Sequence, residues 1–450
     1  QMNDLEIAVA ALAAKKRRYD ALWRYYDGEQ PLIYSSQKLR EIFSGLEARF
    51  TENWCAVVVD SVLDRLELKT PTVVGDEQTS LSLRSLWEQT GLIDDEYNIH
   101  EDVAVTGESF VIAWPGDDGL IQAFHNDARL CHVEYDFENP RRMRFAAKWW
   151  MAGEGVRLTL YYADRIEYYA SRRDFKAGEA PTAKSFDPHP SAPNGEAVAE
   201  NPYGAIPIFH FRSNRRRPKS QLANVVEIQD AVNKLIADMM VAAEFGAFPQ
   251  RYVISAAGIS NLKNNPNAIW DLVASEQGVQ ATQAGQFAAT DLQNYLGAIN
   301  KLSADIGIIT RTPRHYFYQQ GGDPSGEALM AMEAPLNKKA LRLQATLQPT
   351  WRDLAAFLFR LQGQDVESQQ IRIDYAPTET IQPLSVAGIR KMAVEAGIPL
   401  RTHLQRYENW SSEEIEQMDS DRAAERLAER SYADAILEAA RRDFDRGLAV

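Results

Sequence analysis

Cysteine, histidine and net positive charge are all scarce in this chain of 450 residues. It has two cysteines and seven histidines, and 49 Lys and Arg stand against 63 Asp and Glu, for a formal net charge of −14. Two cysteines exclude a disulfide framework. Cys55 and Cys131 both sit in apolar surroundings and read as buried thiols, which suits assembly in a reducing cytoplasm. The histidines show no metal-ligand spacing and no cysteine cluster accompanies them, so no metal site is expected. His100, His125, His132 and His210 read instead as core or sheet-edge residues. No apolar run approaches the roughly eighteen residues a membrane span needs. No secretory leader is seen, although the numbering starts at Gln1 and residues can precede it. Acidity also argues against an ordinary DNA reader, whose affinity comes from phosphate neutralisation by Lys and Arg.

No catalytic constellation emerges either. Gly178 to Ser185 (GEAPTAKS) comes within one residue of a phosphate-binding loop, but Ala183 replaces its second glycine. Prolines surround it and no clear strand leads in, so it is not expected to open a helix whose N-terminus could hold phosphate. Neither enzymatic activity nor a cofactor is expected. Asn409-Trp410-Ser411 matches a glycosylation acceptor by chance.

What the chain does have is a long helical region from Ser220 to Gly363. It follows the basic run Arg215, Arg216, Arg217, Pro218, Lys219, with Ser220 in N-cap position. Leu222, Val225, Val226, Val232, Ile236, Met239, Met240 and Ala243 recur at helical spacing. On the polar side Glu227, Asp230, Lys234 and Asp238 follow at three and four residues and form a mostly acidic stripe. It reads either as a solvated face or as the lining of something that must not stick. A strand-like insert follows at Arg251 to Ser255, with turn chemistry at Gly258 and Asn264 to Asn267. A second helix is expected from Asp291 to Thr310, carrying Leu292, Leu296, Ile299, Leu302, Ile306 and Ile309. The loop after it, Thr312 to Gly322, is aromatic and basic. It could stack on bases or tuck into a neighbouring subunit. A third helix runs from Ser325 to Leu361 with Leu336, Ala340, Leu343, Leu347, Trp351, Leu354 and Leu358 at three-four spacing. Pro335 and Pro349 lie inside it, so a kinked helix or two successive helices are expected. So long a rod suggests packing between copies of the chain.

The remainder reads as an α+β body. Helices are expected over residues 3–27, 37–66 and 80–107, the second with an apolar face of Leu39, Ile42, Phe43, Leu46 and Phe50. Strands are expected at Ser109–Trp114, Arg144–Trp150, Arg157–Tyr162, Ile166–Ala170 and Gln370–Tyr375, with a long surface loop over 171–200 and charged helices from Leu384 to Arg446. Hydrophobic content of 45% and charged content of 25% describe a folded chain, long enough for two or three cores.

Four stretches taken together resemble the portal proteins of long-tailed bacteriophages. They are Tyr25-Tyr26-Asp27-Gly28-Glu29-Gln30-Pro31; Asn53-Trp54-Cys55 through Asp60 to Arg65 and Leu66; Asn201-Pro202-Tyr203-Gly204 through Ile206-Pro207-Ile208-Phe209, leading on to Phe248-Pro249-Gln250; and Ser325-Gly326-Glu327-Ala328-Leu329 through Pro335 to Lys338 and Lys339. Each is weak alone; their order and spacing are specific. The resemblance implies a wing domain over 1–218, a first stem helix over 219–247, a clip over 248–289 and a second stem helix over 290–311. A tunnel loop over 312–324, a kinked wing helix with its return strand over 325–383 and a helical crown over 384–450 complete it.

It further implies a closed homo-oligomeric ring, twelve-fold if it follows the family, at one vertex of the virion capsid and assembled in the host cytoplasm. Double-stranded DNA would pass through it without sequence specificity, with the terminase large subunit, the head-to-tail adaptor and the major capsid protein as partners. An acidic wall suits such a conduit, because carboxylates repel the phosphate backbone over a Debye length of about 8–10 Å. On this reading Glu227, Asp230, Lys234 and Asp238 line the stem, Arg314, His315, Tyr316, Phe317, Tyr318, Gln319 and Gln320 form the tunnel loop, and Arg251 and Lys263 are clip contacts. A capsid-associated structural protein without a ring, or a nucleotide-driven motor using the 178–185 loop, are the alternatives.

Overall fold

The computed structural model describes residues 3–31, 52–116, 118–153, 155–171, 181–192, 195–247, 251–254, 283–286, 291–317, 325–378, 383–408, 410 and 414–428. The chain divides into two units, residues 1–376 and 377–450. The first is a mixed α+β body with antiparallel sheets.

Local chemistry sets the helix starts. In α1 (Asp4–Tyr26) the Asn3 side chain accepts from the Glu6 N–H at 2.7 Å while the Glu6 carboxylate accepts from the Asn3 N–H at 3.0 Å, a capping box. Asn53 caps α2 (Trp54–Leu63) and Asp76 caps α3 (Glu77–Gln89) through their side-chain oxygens. The single helix expected over 80–107 is two: α3 ends at Gln89 and α4 spans Leu92–Thr106. Gly91, with φ of 70° between them, takes a left-handed conformation that a side chain would resist, and so breaks the periodicity. The apolar set Leu39, Ile42, Phe43, Leu46 and Phe50 lies outside the described residues.

The strands expected at Ser109–Trp114, Arg144–Trp150, Arg157–Tyr162 and Ile166–Ala170 are found within two residues of those bounds, and those at 72–73, 121–126 and 131–135 are additional. β1 (Thr72–Val73) precedes β2 (Glu108–Pro115), β3 (Ile121–Asn126), β4 (Cys131–Tyr135), β5 (Met143–Ala152), β6 (Gly155–Tyr161) and β7 (Arg165–Ser171). The 171–200 loop is not all loop: β8 (Phe186–Pro188) and β9 (Val198–Glu200) both pair with β7, and Phe186 is buried. Proline and small residues concealed two edge strands of three residues each. β10 (Ile208–Arg212) joins β2 and β3 in a three-stranded sheet, with Phe211 opposite Ser109 and Phe209 opposite Val111. β4 to β9 form the second sheet. The near-miss phosphate loop has no helix behind it. Ala183–Ser185 is one 3₁₀ turn followed by extended Phe186, which removes the geometry a nucleotide site needs.

Ser220 caps no helix directly. Its hydroxyl donates to the Val105 carbonyl at 2.5 Å and accepts from the Leu222 N–H at 2.9 Å, which organises a turn, and α5 starts at Val226 and ends at Ala247. β11 (Arg251–Ile254) and β12 (Gln283–Gln286) form an antiparallel pair, α6 spans Gln293–Thr310 and α7 spans Gly326–Leu361. α7 is unbroken over 36 residues, capped by Ser325. Its two prolines remove donors for the carbonyls of Ala331 and Ala345. Both residues are exposed, so solvent can reach the freed carbonyls; the helix continues and the two-helix alternative is set aside.

The main core forms where α7 crosses β10 and β2. Trp351 is fully buried there, with its ring 4.5 Å from that of Phe211 and 5.5 Å from Trp87, and its Nε1 donates to the Tyr375 hydroxyl at 3.1 Å. β13 (Ile371–Arg372) pairs with β1, and Leu68 bridges Tyr375, so the chain returns to the body as the alternation at 370–375 predicts. A second core sets Ala8, Val9 and Leu12 of α1 against Phe145, Trp149, Leu158 and Leu160. Cys55 and Cys131 are buried free thiols, and burial pushes each up to about 12.

In the second unit, α8 (Pro383–Glu395), α9 (Leu400–Tyr407) and helical residues 414–428 are described. The Glu408 carboxylate holds α8 and α9 together by accepting from Arg390 at 2.5 and 2.8 Å, and the Arg390 guanidinium lies over the Trp410 ring.

Candidate functional site

Burial, not spacing, divides the polar residues of α5. At 3.6 residues per turn Glu227, Lys234 and Asp238 stack along one side with Asp230 at its edge, while Gln229 and Asn233 turn toward the body. Glu227 is exposed, and Lys234 and Asp238 are partly exposed and paired with each other. Gln229 is fully buried. Its Oε1 accepts from the Trp54 N–H at 3.0 Å, and its Nε2 donates to the Glu52 carbonyl at 2.6 Å and to Asn233 Oδ1 at 3.0 Å. Asp230 is buried as well and accepts from the Tyr25 hydroxyl at 2.8 Å. It therefore leaves the expected stripe, because a carboxylate bonded into the body cannot also face a solvent-filled space. Burial pushes its carboxyl up, the Tyr25 hydrogen bond offsets part of that, and Glu227 adds to it.

The ends of α1 and α2 are bonded to the same place. Asn53 Nδ2 donates to the Tyr26 carbonyl at 2.6 Å, and the Tyr26 hydroxyl reaches Asp60 at 2.9 Å and Glu101 at 3.1 Å. Of the polar positions that carry the portal resemblance, Tyr25 thus ties the root of α5 to the body, and Tyr26 and Asn53 fasten the end of α1 to α2 and α4.

α6 packs beside α5. Its expected apolar face is split: Ile299 and Ile306 are buried, whereas Leu296 and Ile309 are exposed. Ser303 and Thr310 take part in the buried side instead, each hydroxyl donating to the carbonyl four residues back. The helix ends at Arg311, which has φ of 62°, and Lys339 of α7 donates to the Thr310 carbonyl at 2.9 Å. That places a cation at the negative end of the helix dipole. Burial, with the Arg311 charge adding to it, draws the Lys339 ammonium down to about 8.

The aromatic segment after α6 is a joint. Phe317 is 5% exposed, with its ring 5.2 Å from that of Trp54 and packed over Gly307. A Cβ on Gly307 would meet that ring and the Thr312 carbonyl at 3.1 Å, so the glycine admits the close approach. The Tyr316 hydroxyl accepts from Arg65 Nη2 at 3.1 Å and lies 3.3 Å from Glu333 Oε1, and His315 Nε2 lies 3.6 Å from Glu333. Arg314 is exposed. Tyr316 and Phe317 therefore do not face an open loop: their apolar surface and hydroxyl are used inside the body. Tyr318, Gln319, Gln320 and Lys263 lie outside the described residues. Of Arg251 only the backbone is placed, pairing with Gln286 at the outer register of the β11–β12 pair.

Sequence reasoning did not single out Arg65 as a site residue, although it stands at the end of a family stretch. Its guanidinium donates to Asn337 Oδ1 and the Ser61 carbonyl, both at 2.7 Å, to Tyr316 Oη at 3.1 Å and to Glu333 Oε2 at 3.2 Å. Its own carbonyl accepts from Gln344 Nε2 at 2.7 Å. One side chain thus fastens α2, the post-α6 turn and α7. The available signal was polar Glu333, Asn337 and Gln344 on the otherwise apolar side of α7.

Among the described residues no cluster of three or more His, Cys, Asp or Glu is placed to hold a metal ion, and no helix is long and apolar enough to cross a membrane. Two relatives are portal proteins of mycobacteriophages. The one from Mycobacterium phage L5 is 25% identical over 341 residues, 70% of this chain and 66% of the relative. The one from Mycobacterium phage D29 is 26% identical over 187 residues, 38% of each chain. The chain thus spans 66% and 38% of the length of these relatives. Among solved structures it is similar to a chain in the neck of an empty gene transfer agent particle, at 11% identity and a TM-score of 0.43 over 81% of this chain and 90% of that one. A chain in the virion of the native gene transfer agent matches at 12% identity and a TM-score of 0.44, over 83% and 93%. The family model described as phage portal protein, SPP1 Gp6-like, matches residues 6–426, and over that span this chain belongs to the phage portal protein family.

Proposed function

We propose that copies of this chain close into a ring at one vertex of a phage capsid and provide the conduit for genome packaging and ejection. Family membership over residues 6–426 carries the reading. The geometry of α5 supports it: Gln229 and Asp230 bond the helix to the body, while Glu227 is exposed and Lys234 and Asp238 are partly so. In this reading α5 and α6 are the stem. Glu227 and Asp238 present carboxylates to passing duplex, with Lys234 neutralising one of them, so the wall repels phosphate and does not grip it. Residues 248–289, with Arg251 and Lys263, form the clip, where the terminase large subunit docks and the head-to-tail adaptor later replaces it. Residues beyond Phe317, including Tyr318, Gln319 and Gln320, remain the proposed tunnel loop, with Tyr316 and Phe317 as its anchor. The rest of the first unit is the wing, and the second unit is the crown inside the capsid, where the major capsid protein surrounds the ring.

The chain is a structural component on this reading, and the energy for packaging comes from a separate ATPase. Electron microscopy of the purified protein at micromolar concentration tests it. End-on views of a ring with a central hole are expected, twelve-fold if the family number holds. A compact particle without a channel at every concentration would count against it.

A further inference from the structure

A groove of about 1450 Å³ in the first unit is lined by six arginines, Arg141, Arg142, Arg212, Arg215, Arg216 and Arg217, against one carboxylate, Asp353. In a chain of net charge −14 this is a marked local reversal. Arg212 stacks over the Tyr135 ring and donates to the Arg215 carbonyl, and the other five are exposed. None of the six is ion-paired among the described residues. Ile206, Ile208 and Phe209 give the groove an apolar floor.

A face of opposite character lies on the same unit. Tyr97 and Ile93, one turn apart on α4, are 54% and 52% exposed. Asp60, Asp64 and Glu101 surround Tyr97, and Glu67 lies close to Glu96 on the same helix. Asp60, Asp64, Glu67 and Glu101 form no ion pair among the described residues, although Tyr26 hydrogen-bonds Asp60 and Glu101. Burial first, then Glu101, Asp60 and Asp64, raises the Tyr97 phenol, so these carboxylates are close enough to act on it.

We propose that the arginine groove of one copy receives the Tyr97 face of the next, as the charge-complementary contact that closes the ring. This rests on the ring reading above and names the surfaces that reading leaves open. A ring of like subunits needs a heterologous contact between two different patches. Copies with the same net charge repel unless those patches differ in sign. Protein interfaces favour arginine and tyrosine around a desolvated apolar centre. The floor of Ile206, Ile208 and Phe209 suits the apolar side chains of Tyr97 and Ile93, whereas a phosphate group has no apolar part to place there.

The test uses the full chain, with native mass spectrometry and electron microscopy as readouts and thermal melts to check folding. A groove variant carries Arg141→Glu, Arg142→Glu and Arg216→Glu. A face variant carries Asp64→Lys and Glu67→Lys. Each alone is expected to lose at least tenfold in ring fraction, since like charges then meet across the contact. An equimolar mixture is expected to recover rings with alternating subunits, because each reversed groove then meets a reversed face and each native groove a native one. Should either variant not fold, Arg→Gln and Asp→Asn versions at the same sites are expected to raise the concentration needed for assembly about tenfold. Normal assembly of both variants, or no recovery on mixing, overturns the proposal and leaves the ring reading in place. A groove variant that assembles normally but no longer retains duplex DNA would assign the groove to phosphate, and also overturns it. Absence of rings from the native chain removes the ring reading itself and this contact with it.

Discussion

The Tyr25 hydroxyl lies 2.8 Å from Asp230 Oδ1, a buried bond between residues 205 apart in the chain. It takes Asp230 out of what the sequence presents as one acidic stripe.

Tyr25→Phe is expected to cost about 1–3 kcal/mol, because it removes the donor and leaves a buried carboxylate without it. Asp230→Asn in the same background should recover part of the loss. Urea unfolding of the two variants and the double variant checks this. Equal stability of Tyr25→Phe and the native chain would mean that water replaces the hydroxyl.

Arg65→Met removes the cation from a side chain with four acceptors, leaving Glu333, which is 21% exposed, and Asn337 without it. Removing one partner of a buried pair costs about 3–5 kcal/mol, and partial exposure of Glu333 places this case toward the lower end. Arg65→Lys is expected to recover little, since one ammonium cannot reproduce the planar fork. Denaturant midpoints of both variants decide it.

Phe317→Ala opens a cavity between Trp54 and Gly307 and is expected to destabilise the first unit by about 3–5 kcal/mol. An open-loop residue would change stability by less than about 0.5 kcal/mol. Calorimetry on Phe317→Ala therefore distinguishes a joint from a loop tip.

Stability against pH is expected to stay nearly level between pH 7 and 5 and to fall steeply below about pH 4.5. Burial draws His100 and His132 down to about 3 and His210 to about 4, so on unfolding each takes up a proton below its ordinary value near 6.5. Their contribution is present above that value and fades as pH falls. Burial raises Glu96 to about 7 and Asp102 to about 6, so the folded chain holds those protons first, and their contribution grows as pH falls toward 4. The two sets oppose each other until the unfolded carboxyls also protonate. Glu108 then adds to the acid loss. Burial would raise it, but Lys15 at 2.5 Å and His210 at 2.7 Å more than offset that and hold it well below the carboxylate range. Melting temperatures across pH 3–8 check the shape, and a linear decline from pH 7 would contradict it.

Helix periodicity and strand alternation made most of the body legible, because Leu336, Leu343, Leu347, Trp351 and Leu354 are buried where three-four spacing puts them. Spacing could not divide the stripe on α5: whether Asp230 faces water depends on Tyr25, whose position is set by tertiary packing. The aromatic segment had the same ambiguity. An aromatic run reads alike on a surface and in a core, and only the proximity of Trp54, Arg65 and Glu333 decides for the core. The break at Gly91 is a single residue between two stretches of helical spacing, so periodicity alone runs through it.

α7 also has a mechanical reading. At 1.5 Å per residue its 36 residues make a rod of about 54 Å. The rod is embedded from Leu336 onward, whereas most side chains between Gly326 and Pro335 are exposed. It is a cantilever. Pro335 removes one rung of the hydrogen-bond ladder at the point where the overhang enters its mount, so a load on the tip bends the rod there first. The remainder passes to Arg65 through Glu333 and Asn337, and from that guanidinium into α2.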